Sequence, residues 1–143
     1  MKVGFVVYGD LDTQSGGFHY DRQLIAELRA AGDSVEIIEL PWRSYPRGLL
    51  DNLSRRLRRR LAGDYDVLLQ DELAHPSLAW TNRHLSAPIV SIVHHLRASE
   101  SRRLQPLYRA VERCYLRGVD GVVCNSSVTR DVVTDFGVAA DRT

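Results

Sequence analysis

The sequence predicts an α/β fold in which a five-stranded parallel sheet lies between two layers of helices. Five short apolar runs rich in valine and isoleucine recur along its 143 residues. Segments with an apolar period of about 3.6 residues separate the runs, and glycines follow several of these segments as helix C-caps would. Strands that alternate with helices are joined by right-handed crossovers, which make them parallel. We therefore expect one three-layer domain over residues 1–143.

The predicted strands are short apolar runs, continuous where helices cover both faces of the sheet. In chain order they span residues 2–9, 34–40, 66–70, 88–94 and 121–125. We expect the order 3-2-1-4-5 in the sheet. The ends of strands 1, 3, 4 and 5 would then line one crevice at the carboxyl edge, where open parallel sheets bind their ligands.

The helices are predicted from the spacing of apolar residues between the strands. In the first, Tyr20, Leu24 and Leu28 recur every four residues, and Gly32 follows as a C-cap. A similar pattern over residues 107–116 precedes the last strand.

The segment 49–61 predicts one basic amphipathic helix. Its apolar stripe would consist of Leu49, Leu53, Leu57 and Leu61. Two interpretations remain open: a surface helix whose arginines extend into water, or a face that rests on anionic lipid. In the second, the lipid contacts would come from Arg55, Arg56, Arg59 and Arg60. Nucleic acid is not an expected partner, because the arginines are not interleaved with aromatic residues.

The composition excludes several classes of protein. The 19 lysines and arginines balance 18 acidic residues, so the overall charge does not indicate an acidic partner. Two cysteines are too few for a disulfide framework and fit a reducing compartment. No apolar run approaches the roughly 20 residues of a membrane span. We expect a cytoplasmic protein, either free or bound peripherally at the inner face of the membrane.

Small and polar residues follow four of the predicted strands. Ser15, Gly16 and Gly17 open the first helix, where backbone N–H groups and the helix dipole favour an anion. Their spacing is neither a GxGxxG fingerprint nor a P-loop, so a simple turn capped by Ser15 is the alternative. The later strands are followed by Asp71 and Glu72, by His94 and His95, and by Asn125 and Ser126.

His94 and His95 end the fourth predicted strand, so the alternation of side chains directs one of them into the crevice and the other away. An imidazole both donates and accepts hydrogen bonds near neutral pH, which suits contact with a substrate. A metal site that combines them with Asp71, Glu72 or His75 is not expected, because no HExxH or CxxC spacing is present.

Five blocks of the sequence occur in an order that is similar to a known family. They are a loop ending in SGG, then RQLIAELRAAGDSVEII, YDVLLQDE, APIVSIVHHLR and YRAVERCYLRGVDGVVCNSS. Together they resemble the N-terminal domain of family-4 glycosyltransferases, which have the two-domain GT-B fold. The resemblance implies a Rossmann-like domain on the acceptor side of a retaining hexosyltransferase that uses a nucleotide-sugar donor.

The resemblance also implies roles for the residues at the strand ends. Ser15, Gly16 and Gly17 match the loop that lies against the donor phosphates and the acceptor. His94 matches the histidine that contacts the sugar or acceptor in the cleft, so it is the implied catalytic residue. The implied acceptor-side residues are Asp71, Glu72, His95, Asn125 and Ser126.

In GT-B enzymes a second domain binds the nucleotide-sugar. We therefore expect a C-terminal donor-binding domain in cis, or a partner subunit in trans, and little turnover without it. No cofactor or metal is expected, since the nucleotide-sugar is a substrate. Glu112 and Asp120 match an E…D pattern of the family, for which a structural role is the alternative. The alternative function is a non-catalytic module that binds a phosphorylated ligand or recruits a catalytic partner to a membrane.

Overall fold

A computed structural model describes residues 1–12, 14–99 and 103–143, and in these ranges five parallel strands form one sheet with six α-helices. The strands are β1 (Lys2–Tyr8), β2 (Ser34–Leu40), β3 (Val67–Asp71), β4 (Ile89–Val93) and β5 (Gly121–Cys124). The helices are α1 (Gly16–Ala30), α2 (Tyr45–Asp51), α3 (Arg55–Leu61), α4 (His75–Leu78), α5 (Gln105–Leu116) and α6 (Ser127–Asp135). The predicted fold class is confirmed, and each strand lies within two residues of its predicted bounds.

The strands are arranged in the order β2-β1-β3-β4-β5, so the predicted order 3-2-1-4-5 is wrong. The edge strand β2 carries Glu36 and Glu39, both exposed, and such a strand would bury charge in the interior position that we predicted. β3 instead packs beside β1, where a β carbon on Gly4 would lie 2.7 Å from Cδ2 of Leu68. The strands β1, β3, β4 and β5 are therefore direct neighbours, and their ends share one edge.

Alternate side chains of β1 contribute to separate apolar clusters on the two faces of the sheet. Phe5 and Val7 pack with residues of α1, including Ile25. Val6 and Tyr8 belong to the larger cluster, which also includes residues of α3, α4, α5 and α6. The sheet is thus the middle of three layers, and the face that a strand residue occupies follows from its parity. None of the described helices combines the length and apolarity needed to cross a membrane.

Residues 49–61 do not form the single helix that we predicted, because the chain turns between α2 and α3. The buried side chain of Asn52 fixes the turn: its Nδ2 donates to the carbonyl oxygens of Leu49 at 2.9 Å and Pro76 at 2.7 Å. Ser54 then caps α3 by accepting a hydrogen bond from the backbone N–H three residues on. Hydrogen bonds to distant backbone thus override the local helical pattern.

The turn also interrupts the predicted leucine stripe. Leu57 and Leu61 pack against the larger cluster, whereas Leu53 lies in the turn and is 77% exposed. The four arginines of the predicted lipid contact are all exposed; they are Arg55, Arg56, Arg59 and Arg60.

Candidate functional site

The carboxyl ends of β3 and β4 each carry two adjacent polar residues, which point to opposite faces of the sheet. Asp71 and His94 lie on the face that α1 covers, whereas Glu72 and His95 line a cavity on the other face. The alternation of side chains along a strand produces this division. The candidate site therefore has two compartments at one sheet edge.

The first compartment forms where the first turn of α1 meets His94. Helix α1 begins at Gly16, because Oγ of Ser15 accepts a hydrogen bond from the backbone N–H of Phe18 at 3.1 Å. A β carbon on Gly17 would lie 3.1 Å from Cδ2 of His94, whereas one on Gly16 would meet no heavy atom of the described residues within 4 Å. The structure thus brings the glycine loop and His94 together through a close approach that only glycine at position 17 allows without displacement.

Asp21 is the residue of this compartment that the sequence analysis missed. It belongs to α1 and is fully buried, and its Oδ1 lies 3.4 Å from Nε2 of His94. The ring of Tyr20 packs against the imidazole in a T-shaped contact with centroids 5.3 Å apart. A signal was present in the sequence, because Phe18, Asp21 and Ile25 recur at helical spacing and all three are buried. An acidic residue on an apolar helix face indicates a buried partner.

The hydrogen bond to Asp21 raises the pKa of His94 above its ordinary value. Partial burial of the ring opposes this effect, and the negative charges of Asp21 and Asp71 add to it. Because Nε2 is committed to Asp21, Nδ1 is the ring nitrogen through which His94 would contact a ligand. We call Gly17, Asp21, Asp71 and His94 the α1-side cluster.

Asp71 and Glu72 place two buried carboxyl groups next to each other. Oδ1 of Asp71 accepts a hydrogen bond from the backbone N–H of Leu73 at 3.0 Å, and Oε1 of Glu72 accepts one from that of His95 at 3.1 Å. Burial raises the pKa of both carboxyls, and the charge of Asp71 raises that of Glu72 further. Oδ2 of Asp71 and Oε2 of Glu72 are buried and meet no donor among the described residues.

Asn125 and Ser126 lie at the same edge, where they cap α6. Oγ of Ser126 accepts a hydrogen bond from the backbone N–H of Thr129 at 3.1 Å. The hydroxyl of Thr129 lies 3.0 Å from Oδ1 of Asn125 and 3.4 Å from the carbonyl oxygen of His94. Both predicted residues are exposed, and Thr129 joins them to the carbonyl oxygen of His94, but their side-chain oxygens already have local partners.

The second compartment is a cavity of about 170 Å³ beside Glu72 and His95. Three aromatic residues line it from the ends of β1 and β2 and the start of α2: Tyr8, Trp42 and Tyr45. The rings of Tyr8 and Trp42 are 5.2 Å apart, and Trp42 is 67% exposed. Arg43 and Arg97 also line this space, which we call the aromatic cavity.

His75 supports the wall of the aromatic cavity as a neutral imidazole. Burial lowers its pKa to about 4. Its Nδ1 lies 2.7 Å from the carbonyl oxygen of Glu72, which can only accept, so Nδ1 carries the hydrogen. Nε2 then accepts a hydrogen bond from the hydroxyl of Tyr45 at 3.0 Å. These bonds fix Tyr45 against the end of β3.

Arg97 is held in place from two directions. Its guanidinium lies over the rings of Tyr45, at 5.4 Å, and Tyr108, at 5.1 Å. The buried carboxylate of Glu112 accepts hydrogen bonds from the backbone N–H groups of Arg97 at 2.6 Å and Ala98 at 3.1 Å. Glu112 thus fixes the loop after β4. This contact fits the structural role that the sequence analysis named as the alternative for Glu112.

Asp120 has a comparable structural contact at the other end of β4. Its Oδ2 accepts a hydrogen bond from the backbone N–H of Ile89 at 2.8 Å, which fixes the start of the strand.

The two compartments offer different chemistry. The α1-side cluster combines an imidazole with a helix N-terminus that favours anions, and the aromatic cavity combines ring faces with guanidinium groups. Across residues 1–12, 14–99 and 103–143, no three His, Cys, Asp or Glu side chains are grouped so that they could hold a metal ion.

Comparison with known families finds a match over most of the chain. The model of Glycosyltransferase Family 4 matches residues 14–143, which include the glycine loop and the ends of β3, β4 and β5. Among curated proteins, no match was found.

Proposed function

The chain belongs to glycosyltransferase family 4, and from that premise we propose that it is the acceptor-side domain of a retaining glycosyltransferase. The sugar comes from a nucleotide-sugar and goes to a hydroxyl of a lipid, glycan or small molecule. The bond from C1 of the sugar to the diphosphate breaks, the acceptor oxygen bonds to C1, and the hydroxyl proton leaves with the diphosphate. The contact between the first turn of α1 and His94 is the observation that carries this proposal.

The residues of the α1-side cluster divide the work in this proposal. The backbone N–H groups at Gly16 and Gly17 and the dipole of α1 stabilise the charge that develops on the leaving diphosphate. His94 orients a sugar or acceptor hydroxyl through Nδ1, while Asp21 holds the ring. The acceptor side is completed by Asp71, Glu72, His95, Asn125 and Ser126.

The donor is bound mainly by a second GT-B domain, supplied in cis or by a partner subunit. The chain alone therefore turns over little, and the two-domain enzyme needs neither a cofactor nor a metal ion. Sugar transfer by the two-domain enzyme should accordingly survive treatment with EDTA, and its abolition by EDTA would contradict this part of the proposal.

The test of the proposed function is His94→Ala in the chain joined to a C-terminal domain of the same family. Loss of this contact should lower kcat/KM by about 10²-fold or more. His84→Ala is the matched control, because His84 is exposed and belongs to the turn at Thr81–His84. Unchanged turnover in a folded His94→Ala variant would remove His94 from the mechanism.

A second function, docking on an anionic membrane, is favoured by the surface around the α2–α3 turn. Leu50 and Leu53 are 64% and 77% exposed there, next to the four exposed arginines of α3. Each arginine near an anionic surface contributes about 1 kcal/mol to binding. In this proposal the module can also recruit a catalytic partner to the membrane, which is the non-catalytic alternative.

Co-sedimentation with vesicles tests the docking function. Anionic vesicles should bind the chain, neutral vesicles should not, and salt should release it as the Debye length falls from roughly 10 Å at 0.1 M to 3 Å at 1 M. Glutamine at the four exposed arginines of α3 should abolish binding. The control replaces four other exposed arginines, namely Arg103, Arg109, Arg117 and Arg130. A wild-type chain that stays in the supernatant with anionic vesicles at low salt excludes docking.

A further inference from the structure

The aromatic cavity has the size and the walls of a site for one sugar-sized ring. Its volume of about 170 Å³ is below the roughly 300–1,000 Å³ typical of pockets for drug-sized ligands. Tyr8, Trp42 and Tyr45 supply rigid ring faces, and Trp42 leaves much of its face open to a ligand. A single ring, or the terminal ring of a longer molecule, therefore matches this space.

The charges around the aromatic cavity favour an anionic ligand. Arg43 pairs with Asp51, with Nε and Oδ2 3.6 Å apart. Arg97 is exposed and, among the residues that the structure describes, makes no salt bridge. The oxygens of Glu112 accept hydrogen bonds from the backbone N–H groups after β4, which leaves the guanidinium of Arg97 available. A guanidinium binds a carboxylate or a phosphate through paired hydrogen bonds.

The acidic residue of the cavity does not cancel this charge. Burial and the neighbouring Asp71 raise the pKa of Glu72, which favours the neutral form of this carboxyl. His75 is neutral there as well, because burial lowers its pKa to about 4. Arg43 and Arg97 therefore supply positive charge to the cavity lining, and Arg97 is the one of the two without a salt bridge to a described residue.

We propose that the aromatic cavity binds the acceptor, and that this acceptor carries a sugar-sized ring with a carboxylate or phosphate group. Arg97 pairs with the anion, and Trp42 and Tyr45 contact the ring. Glu72 and His95 line the cavity at the ends of β3 and β4, so a ligand there occupies the same sheet edge as Asp71 and His94, on the opposite face. This inference rests on the proposed function and specifies its substrate class.

Isothermal titration calorimetry of the chain tests the inference with four probes: glucuronate, glucose 6-phosphate, glucose and inorganic phosphate. At least one charged sugar should bind about tenfold or more tightly than glucose, since a hydrogen bond to a charged group is stronger than one between neutral groups. Inorganic phosphate lacks the ring and should bind more weakly than glucose 6-phosphate. The two charged sugars distinguish a carboxylate from a phosphate as the recognised group.

Variants identify the residues responsible. Arg97→Gln should lower the affinity for the charged sugar by about tenfold and leave the affinity for glucose unchanged. Arg97→Lys should have an intermediate affinity for the charged sugar, and Arg117→Gln should have the affinity of the wild type. Trp42→Ala should lower the affinity for glucose and for the charged sugar alike. Equal affinity for glucose and the charged sugars, an unchanged Arg97→Gln variant, or no binding of any probe would overturn the inference.

This assay needs no sugar transfer, so the two proposals can fail separately. Binding that depends on Arg97, together with a two-domain enzyme that transfers no sugar, keeps the binding site and rejects the proposed function. Transfer to a neutral acceptor that is insensitive to Arg97→Gln keeps the proposed function and rejects the binding site.

Discussion

Replacing Glu112 with glutamine should change how the stability of the protein depends on pH. Burial raises the pKa of Glu112 from its ordinary 4.5 to about 6, because lost hydration outweighs the two backbone N–H donors. A carboxyl whose pKa is raised by folding contributes stability that is complete below a pH of about 4.5 and is lost as the pH rises through about 6. The difference between the two pKa values corresponds to about 2 kcal/mol in the free energy of unfolding.

The Glu112→Gln variant removes this ionisation and also one hydrogen bond. Its amide oxygen can still accept from the backbone N–H of Arg97, but its NH₂ group would face the N–H of Ala98, at a cost of about 1–3 kcal/mol. The variant should therefore be less stable than the wild type at a pH of about 4.5 and within about 1 kcal/mol of it at a pH of about 7.5.

Urea unfolding followed by circular dichroism at the two pH values measures this change. Asp71 and Glu72 also have raised pKa values, but they are present in both proteins and largely cancel in the difference. Glu27→Gln on the exposed face of α1 is the control for the loss of a surface carboxyl group. A stability difference between Glu112→Gln and wild type that does not vary with pH would refute the reasoning.

Three further predictions concern the α1-side cluster and the α2–α3 turn. Asp21→Asn should lower the pKa of His94, because the hydrogen bond to Asp21 is the main cause of its elevation; an unchanged NMR titration of this imidazole would rule out the pairing. Gly17→Ala should displace the imidazole, since its β carbon would lie 3.1 Å from Cδ2, whereas Gly16→Ala should leave the NMR signals of His94 in place; equal effects of the two variants would contradict the close contact. Asn52→Ala should lower the free energy of unfolding by about 3 kcal/mol or more, because several buried backbone groups lose partners that contribute about 1–3 kcal/mol each. A loss below about 1 kcal/mol in urea unfolding would show that water replaces those partners.

The sequence was sufficient for the features that depend on local pattern. β2 begins and ends where the apolar run predicts, and the other strands agree within two residues, because continuous burial by flanking helices leaves a continuous apolar run. The gathering of polar residues at one sheet edge followed from parallel strands alone. The division between His94 and His95 followed from strand alternation, whereas the sequence analysis did not apply the same argument to Asp71 and Glu72.

The predictions that were wrong, and the site residue that was missed, depend on contacts between distant parts of the chain. Strand order is decided by which neighbours bury a strand, and the exposed glutamates of β2 were an unused sign of an edge position. The turn at Asn52 depends on the carbonyl of Pro76, which lies 24 residues further on. Asp21 was missed because the aspartate sits in a segment whose apolar pattern already accounted for a helix, and its partner His94 is 73 residues away.

The adjacency of Asp71 and Glu72 has a consequence for how the two compartments sense each other. A positive charge on His94 lowers the pKa of Asp71, and a charged Asp71 raises the pKa of Glu72, so charge on one face of the sheet affects the carboxyl group on the other. By thermodynamic reciprocity, an anion that binds beside Glu72 should favour a charged Asp71 and thereby strengthen proton binding at His94. The electrostatic link between the two compartments therefore runs through Asp71 and Glu72, the neighbouring carboxyl groups at the end of β3.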